Sequence, residues 1–445
     1  MAIWAFNARW PNTATGQIIE ACEVESGSNT TITDPKLAEF GDDFFKGATV
    51  WVNAGSRWTS QTSEVTDHTG DTITFNGLGL TDVQNTPAKG NPYYLFNVYG
   101  ALDSENEWWY DEEEQMLYLY GDPTGKTVQV KARDTAINLD NVSYVNIDGI
   151  QVLGAGISGT NTSSITLNRV EANYAAHAST IENPYGTDVA SIKLFGNNNT
   201  ISNCEVAYSS ATGVWISGDD NLLFNSKIHD TDYIGSYGAC INVSGSGNVV
   251  SHNTAYNTGR DIIIFQSGDN CKIEYNDFSH SGMICADLGV FYTVATDGGG
   301  TEICYNWVHD NDSSGSRSGI YLDNGTSNWL VHHNVVWDAG TALQLNVPSN
   351  YIAAYNNTFI GNINQDFAWV FKTDTWGDRI INNIATGNIA LKDETLARTN
   401  LETSRIRALK MRTSTSTACW QTRRPSTLRK LFLASTTTMW ELHLI

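Results

Sequence analysis

NLLFNSKIHD at 221–230, NVVSHNTAYN at 248–257, CKIEYNDFSH at 271–280, TEICYNWVHD at 301–310, WLVHHNVVWD at 329–338 and YIAAYNNTFI at 351–360 are variants of one pattern. Each places a short apolar, often β-branched run before an asparagine and a second apolar pair after it. The anchors, read as Asn225, Asn253, Asn276, Asn306, Asn334 and Asn356, recur every 22 to 30 residues. That period suits one coil of three short strands. A second strand signal lies between anchors, as in GVWISGDDN, ACINVSGSGN, DIIIFQSGDN, GIYLDNGTSN and ALQLNVPSN, each ending in a turn of Gly, Asn, Asp or Ser. Strands this short bury themselves only by stacking in parallel on neighbouring coils. The fold expected over 136–400 is therefore all-β, a right-handed parallel β-helix of three-strand coils. Asparagine at a recurrent corner fits, because it tolerates left-handed φ and its amide can bond the asparagine one coil away.

The flanks differ from this middle. In 1–135, VWVNAGSRW, DTITFNGLG, EWWYDEEEQMLYLYG and KTVQVKAR read as strands of a β-rich module, with a hairpin between Trp108 and Met116. Packed on the β-helix as a cap, it would cover exposed sheet edges. Glu112, Glu113 and Glu114 sit in the hairpin turn as solvated charges, and helical signal is confined to DPKLAEFGDDFF at 34–45. After residue 400, basic residues replace acidic ones and Gly and Asn vanish. The segment 401–445 is accordingly an anomalous basic tail, expected from about Arg405 onward to be the product of a shifted reading frame.

Composition narrows function. The chain of 445 residues carries 48 acidic against 26 basic residues, a net charge of −22, which repels nucleic acid and anionic membrane. There is no run of 18 apolar residues for a membrane span, and the opening MAIWAFNARWPN has no basic stretch followed by an apolar one, so no export signal of its own is expected. Fourteen Trp and 19 Tyr suit a surface that grips sugars. The seven cysteines, 22, 204, 240, 271, 285, 304 and 419, show no metal-ligand spacing, and most read as buried small residues.

The runs TGRDIIIFQSGDNCKIEYNDFSH, ADLGVFYT, GGGTEICYNWVHDN and SGIYLDNGTSNWLVHHNVVW, with NARWPN at 7–12 and NEWWYDEEEQMLYLYGDP at 106–123, resemble bacterial secreted right-handed β-helix proteins of the carbohydrate-active kind. The resemblance covers roughly residues 100–390 and implies a polysaccharide or oligosaccharide partner, a secreted or periplasmic location and no cofactor. Glycoside hydrolases, polysaccharide lyases and epimerases all use this fold, so residues must choose the reaction. Lyases need a Lys or Arg base with a cation beside the uronate carboxylate. Lys193, Lys227, Arg260, Lys272, Arg317 and Lys372 form no such cluster in the sequence. Asp287 and Asp323 match, by motif, the catalytic aspartates of some β-helix glycoside hydrolases, which need one acid and one carboxylate nucleophile or base. A glycoside hydrolase of plant or algal polysaccharide is the reading these residues favour. A uronate lyase or epimerase and a non-catalytic glycan-binding β-helix are the alternatives.

Strand alternation then places a glycan track. With Ile320 and Leu322 inward, Tyr321 and Asp323 face outward with Trp215, Asn242, Gln266, Gln344 and Asn346. Tyr292 and Arg260 join as substrate contacts, and Asp261 as a third catalytic candidate. The register of Asp287 stays open, because a one-residue slip reverses its face. Glu302 reads as a turn residue or an acid. His309, His332 and His333 can hydrogen-bond sugar, and no carboxylate spacing in the sequence marks them as a metal site.

Overall fold

The computed structural model describes residues 5–13, 20–125, 127–186, 188–365 and 375–402. From Thr135 onward the chain winds into three parallel sheets whose described strands number eleven, twelve and eleven. One coil runs through Asp261–Ser267 in the first sheet, Lys272–Glu274 in the second and Asp277–Ser281 in the third, and returns to the first at Asp287–Thr293.

Three inward columns make the core. Ile241, Ile263, Phe291, Ile320, Leu343 and Ile363 stack in register on the first sheet, all fully buried. Val250, Ile273, Ile303, Val331, Ala354 and Ile380 do the same on the second, and Ala255, Phe278, Val308, Val336 and Phe359 on the third. Burying each large aliphatic side chain contributes about 1.5–3 kcal/mol. Parallel stacking is what makes that burial possible for strands of two to eight residues.

The asparagines form a continuous buried ladder at the corner between the second and third sheets. Each side-chain amide donates to the next Oδ1 from Asn253 through Asn276, Asn306, Asn334 and Asn357 to Asn383, over 2.9–3.1 Å. Each Oδ1 also accepts the backbone N–H one coil earlier, as Asn306 does from Asn276 at 3.0 Å. Two sequence anchors are one residue out of place. Asn225 and Asn356 are exposed, while Ser226 and Asn357 occupy the ladder. The two properties credited to a single asparagine are divided between neighbours. The residue before the ladder takes left-handed φ, at Asn225, His252, Tyr275, Tyr305, His333 and Asn356, and the ladder residue makes the bonds. A second ladder, Asn199 to Asn221 to Asn248, runs between the first and second sheets.

The N-terminal module is antiparallel apart from the parallel pairing of Phe6–Asn7 with Glu107–Trp108, and the hairpin pairs Trp108 with Leu119 and Asp111 with Met116 as expected. Helical structure there is three 3₁₀ turns, Pro35–Glu39, Val83–Asn85 and Tyr99–Ala101, and residues 127–133 join no sheet. The module docks on the flank of the coils rather than over their end. Trp51 Nε1 donates to the Ile234 carbonyl at 2.8 Å, Ser60 N–H to Gly235 at 2.7 Å, and Arg57 reaches Ile284 at 2.6 Å and Ser314 at 2.8 Å. Gly235 is required for this approach. Its φ is +63°, and a Cβ there would lie 2.5 Å from Ile284 and 2.7 Å from Ser60 Oγ. At the other end, Leu401–Glu402 still pairs with Ile384–Ala385, so the coils continue past residue 400. The basic segment from 403 lies outside the described residues, as does the frame-shift expectation attached to it. The six described cysteines are all buried free thiols.

Candidate active site

Register fixes what alternation left open. Along the outer face of the first sheet, Trp215, Asn242, Ile264, Tyr292, Tyr321 and Gln344 are successive partners. Gln266 is not in this row. Ile264 is the register partner of Asn242, and Gln266, two residues on, falls at the register shift after Val243 and is exposed. Trp215 Nε1 and Asn242 Oδ1 are buried with no hydrogen-bond partner among the described residues.

Asp323 follows the end of strand Ser316–Leu322, and strand Thr341–Leu345 on the next coil leads into the Asn346 that holds it. Its Oδ1 accepts from Asn346 Nδ2 at 2.7 Å and from the Asn324 N–H at 2.7 Å. Its Oδ2 accepts from the Tyr292 hydroxyl at 2.9 Å. Asn346 also donates to Tyr321 Oη at 2.7 Å and accepts from Gln344 Nε2 at 2.8 Å. Three donors thus fix the orientation of the Asp323 carboxylate.

Asp287 opens strand Asp287–Thr293 on the preceding coil and is half-buried. Burial pushes its carboxyl up to about 6; the Arg260 guanidinium pulls the other way, and the negative charge of Asp323 adds to the rise. The two carboxylates thus share one electrostatic environment but not one set of donors.

Arg260 and Asp261 lie beneath them. Both side chains are fully buried and ion-paired. Asp261 also accepts from the Gly289 N–H at 3.0 Å, and burial pushes its carboxyl up to about 7 against the pull of Arg260. Arg260 donates to the carbonyls of Trp58 at 3.0 Å and Asp287 at 3.1 Å, and stacks over Tyr237 and Tyr292, 3.8 and 4.7 Å from the ring centroids. Both side chains are closed off by their partners, and Arg260 holds the Asp287 backbone carbonyl.

Tyr237 was missed in the sequence, since it lies in a loop with no strand signal. Its hydroxyl donates to Tyr292 at 3.4 Å. His309 and His333 stand apart from the cluster. His309 is on the third sheet, bonded to Asp310 at 2.7 Å and Asp277 at 2.9 Å and stacked on Trp337. His333 is a left-handed corner residue stacked on Tyr305. Hollows of about 630 Å³ beside Gln151, Arg169 and Glu171 and of about 310 Å³ beside Trp10, Phe40 and Phe44 lie away from these residues.

No curated protein sequence matches the chain significantly. Among solved structures it is similar to a glycoside hydrolase at 12% identity, covering 89% of this chain and 75% of that one with a TM-score of 0.49. It is also similar to the A-module of the Azotobacter vinelandii mannuronan C-5 epimerase AlgE6 at 12% identity, covering 62% and 81% with a TM-score of 0.39. The catalytic unit of a GH87 alpha-1,3-glucanase from Streptomyces thermodiastaticus aligns at 11% identity, covering 89% and 94% with a TM-score of 0.32. Residues 190–359 match the family described as the right handed beta helix region, and with three parallel sheets in register across that span, this part of the chain is a right-handed parallel β-helix.

Proposed function

We propose that this chain is a glycoside hydrolase acting outside the cell on a plant or algal polysaccharide. The observation that carries the reading is the unequal pair on the first sheet: Asp287, half-buried with its carboxyl raised to about 6, within electrostatic reach of Asp323, which is held by three donors. Asp287 protonates the leaving glycosidic oxygen. Asp323 attacks the anomeric carbon or activates the water that does so. Trp215 and Asn242, with polar atoms left unpartnered, bind sugar units upstream of the cleavage point, and Tyr321, Gln344 and Tyr292 shape the floor. Asp261 and Arg260 hold Asp287 in place.

Elimination on a uronate fits less well. Burial raises the Tyr292, Tyr321 and Tyr237 hydroxyls above their ordinary range, which keeps them protonated and poor as bases. Arg260 is closed off by its partners.

The test is a polysaccharide panel followed for new reducing ends and for the ultraviolet absorbance of unsaturated uronates, with Asp287→Asn and Asp323→Asn alongside. New reducing ends without absorbance, lost in both variants, are expected. Absorbance rising with the reducing ends would replace hydrolysis by elimination, and binding without cleavage would leave a glycan-binding β-helix.

A further inference from the structure

On the second sheet, away from the aspartate pair, Glu302, Cys304 and His332 bring three different ligand atoms together. Glu302 and Cys304 are two residues apart in strand Asp297–Cys304, so both side chains leave the same face. His332 is the register partner of Cys304 on the next coil. A carboxylate oxygen, the Cys304 Sγ and an imidazole nitrogen lie within 4.8 Å of one another, and His332 Nε2 is 3.1 Å from Glu302 Oε2.

The thiol differs from four of its five described fellows. Cys204, Cys240, Cys271 and Cys285 each donate to a main-chain carbonyl. Cys304 makes no such bond among the described residues, although it is buried. His332 also has a partner behind it, with its Nδ1 2.9 Å from His333 Nδ1. With Nε2 bound to a metal, the imidazole proton resides on Nδ1 and donates to His333, the outer support that metal-bound histidines ordinarily have.

We propose that Glu302, Cys304 and His332 form a binding site for a zinc ion. Sulfur, nitrogen and oxygen donors suit this ion, whose bonds of about 2.3 Å to sulfur and about 2.0–2.1 Å to nitrogen or oxygen require ligand atoms roughly 3.3–3.7 Å apart. Small side-chain rotations bring the set to that spacing. Glu302 is partly open to solvent, leaving the fourth position to water. Binding expels the thiol proton to solvent. Lys272, 3.8 Å from Glu302 Oε1, opposes the cation and must swing outward along its exposed side chain. Linear spacing did not reveal the site, because its histidine lies 30 residues beyond its carboxylate and meets it only when coils stack. It does not depend on the hydrolase reading.

The test is a Co²⁺ titration of the chelator-treated full chain under anaerobic conditions. One equivalent is expected to produce a thiolate-to-cobalt charge-transfer band that Zn²⁺ removes. Cys304→Ser abolishes the band, Cys271→Ser and Cys419→Ser keep it, and His333→Ala weakens binding about 10–100-fold. In the wild-type chain, Zn²⁺ also protects Cys304 from alkylation, read by mass spectrometry after digestion, which keeps the test independent of how variants fold. Absence of the band with Cys304 alkylated equally with and without Zn²⁺, or a band unchanged in Cys304→Ser, overturns the proposal.

Discussion

The Tyr292 hydroxyl donates to Asp323 Oδ2 at 2.9 Å from the neighbouring coil, and Tyr237 donates to Tyr292 at 3.4 Å behind it. The carboxylate proposed as nucleophile or base is therefore oriented by two phenols, one on an adjacent strand and one in a loop. A hydrogen bond to a charged group is worth about 1.5–3 kcal/mol. Tyr292→Phe should lower the hydrolytic rate about 10–100-fold with little change in the far-ultraviolet circular dichroism, and Tyr237→Phe should lower it less. An unchanged rate in Tyr292→Phe would remove this tyrosine from the mechanism.

Asp287 gives a signed prediction about pH. Its folded carboxyl is raised to about 6 from the ordinary 3.8, so between those values the folded chain holds a proton that the unfolded chain has released. The contribution to stability is complete below 3.8 and is lost as pH rises through about 6. Asp287→Asn, which cannot ionise, should be more stable than wild type at pH 7 by about 2–3 kcal/mol while losing hydrolysis. Paired thermal melts at acid and neutral pH check it. A variant less stable at neutral pH would contradict the burial argument.

The activity of the wild-type chain should fall on the alkaline side with a midpoint near 6, as the acid Asp287 loses its proton. A substrate whose leaving group needs no protonation should retain much of its rate above that midpoint. Comparing the two pH profiles isolates the proton-donating step.

Arg260 and Asp261 are a buried pair, and removing one partner leaves an uncompensated charge. Arg260→Met should cost about 3–5 kcal/mol in denaturant melts, and replacing both residues by apolar ones should cost less. The single variant also removes the bond to the Trp58 carbonyl, so limited proteolysis should release the N-terminal module sooner.

The two halves of the Asn356–Asn357 dipeptide should behave differently. Asn357 is fully buried, bonds the Val331 carbonyl and Asn383, and accepts from the Asn334 N–H. Asn357→Ala strands several buried polar groups at about 1–3 kcal/mol each. Asn356→Ala loses only exposed contacts and a left-handed preference, roughly 1 kcal/mol. Chemical denaturation of the two variants separates them.

That dipeptide also marks where sequence reading ends. The coil repeat and the inward β-branched positions were legible, because burial at a fixed period leaves a pattern in the residues. The ladder position was not legible at FNS and YNN, where hydrogen-bonding residues are adjacent and only the stacked register selects one. Gln266 was misplaced for a related reason, since a one-residue register shift after Val243 has no signature in composition. Asp287 and Asp323 were visible as residue types, but their shared environment depends on Tyr292, Asn346 and Arg260 meeting across coils. Tyr237 and the grouping of Glu302 with His332 are likewise products of stacking.

The asparagine ladder bears on how such a rod changes length. Because Asn306 meets Asn334 through the same interface by which Asn334 meets Asn357, a whole coil can be duplicated or deleted downstream of Asn357 with every new junction already compatible. Asp323 would keep its neighbours through such an event. The reach of the rod along a polymer is therefore free to evolve by gene duplication while the chemistry stays where it is.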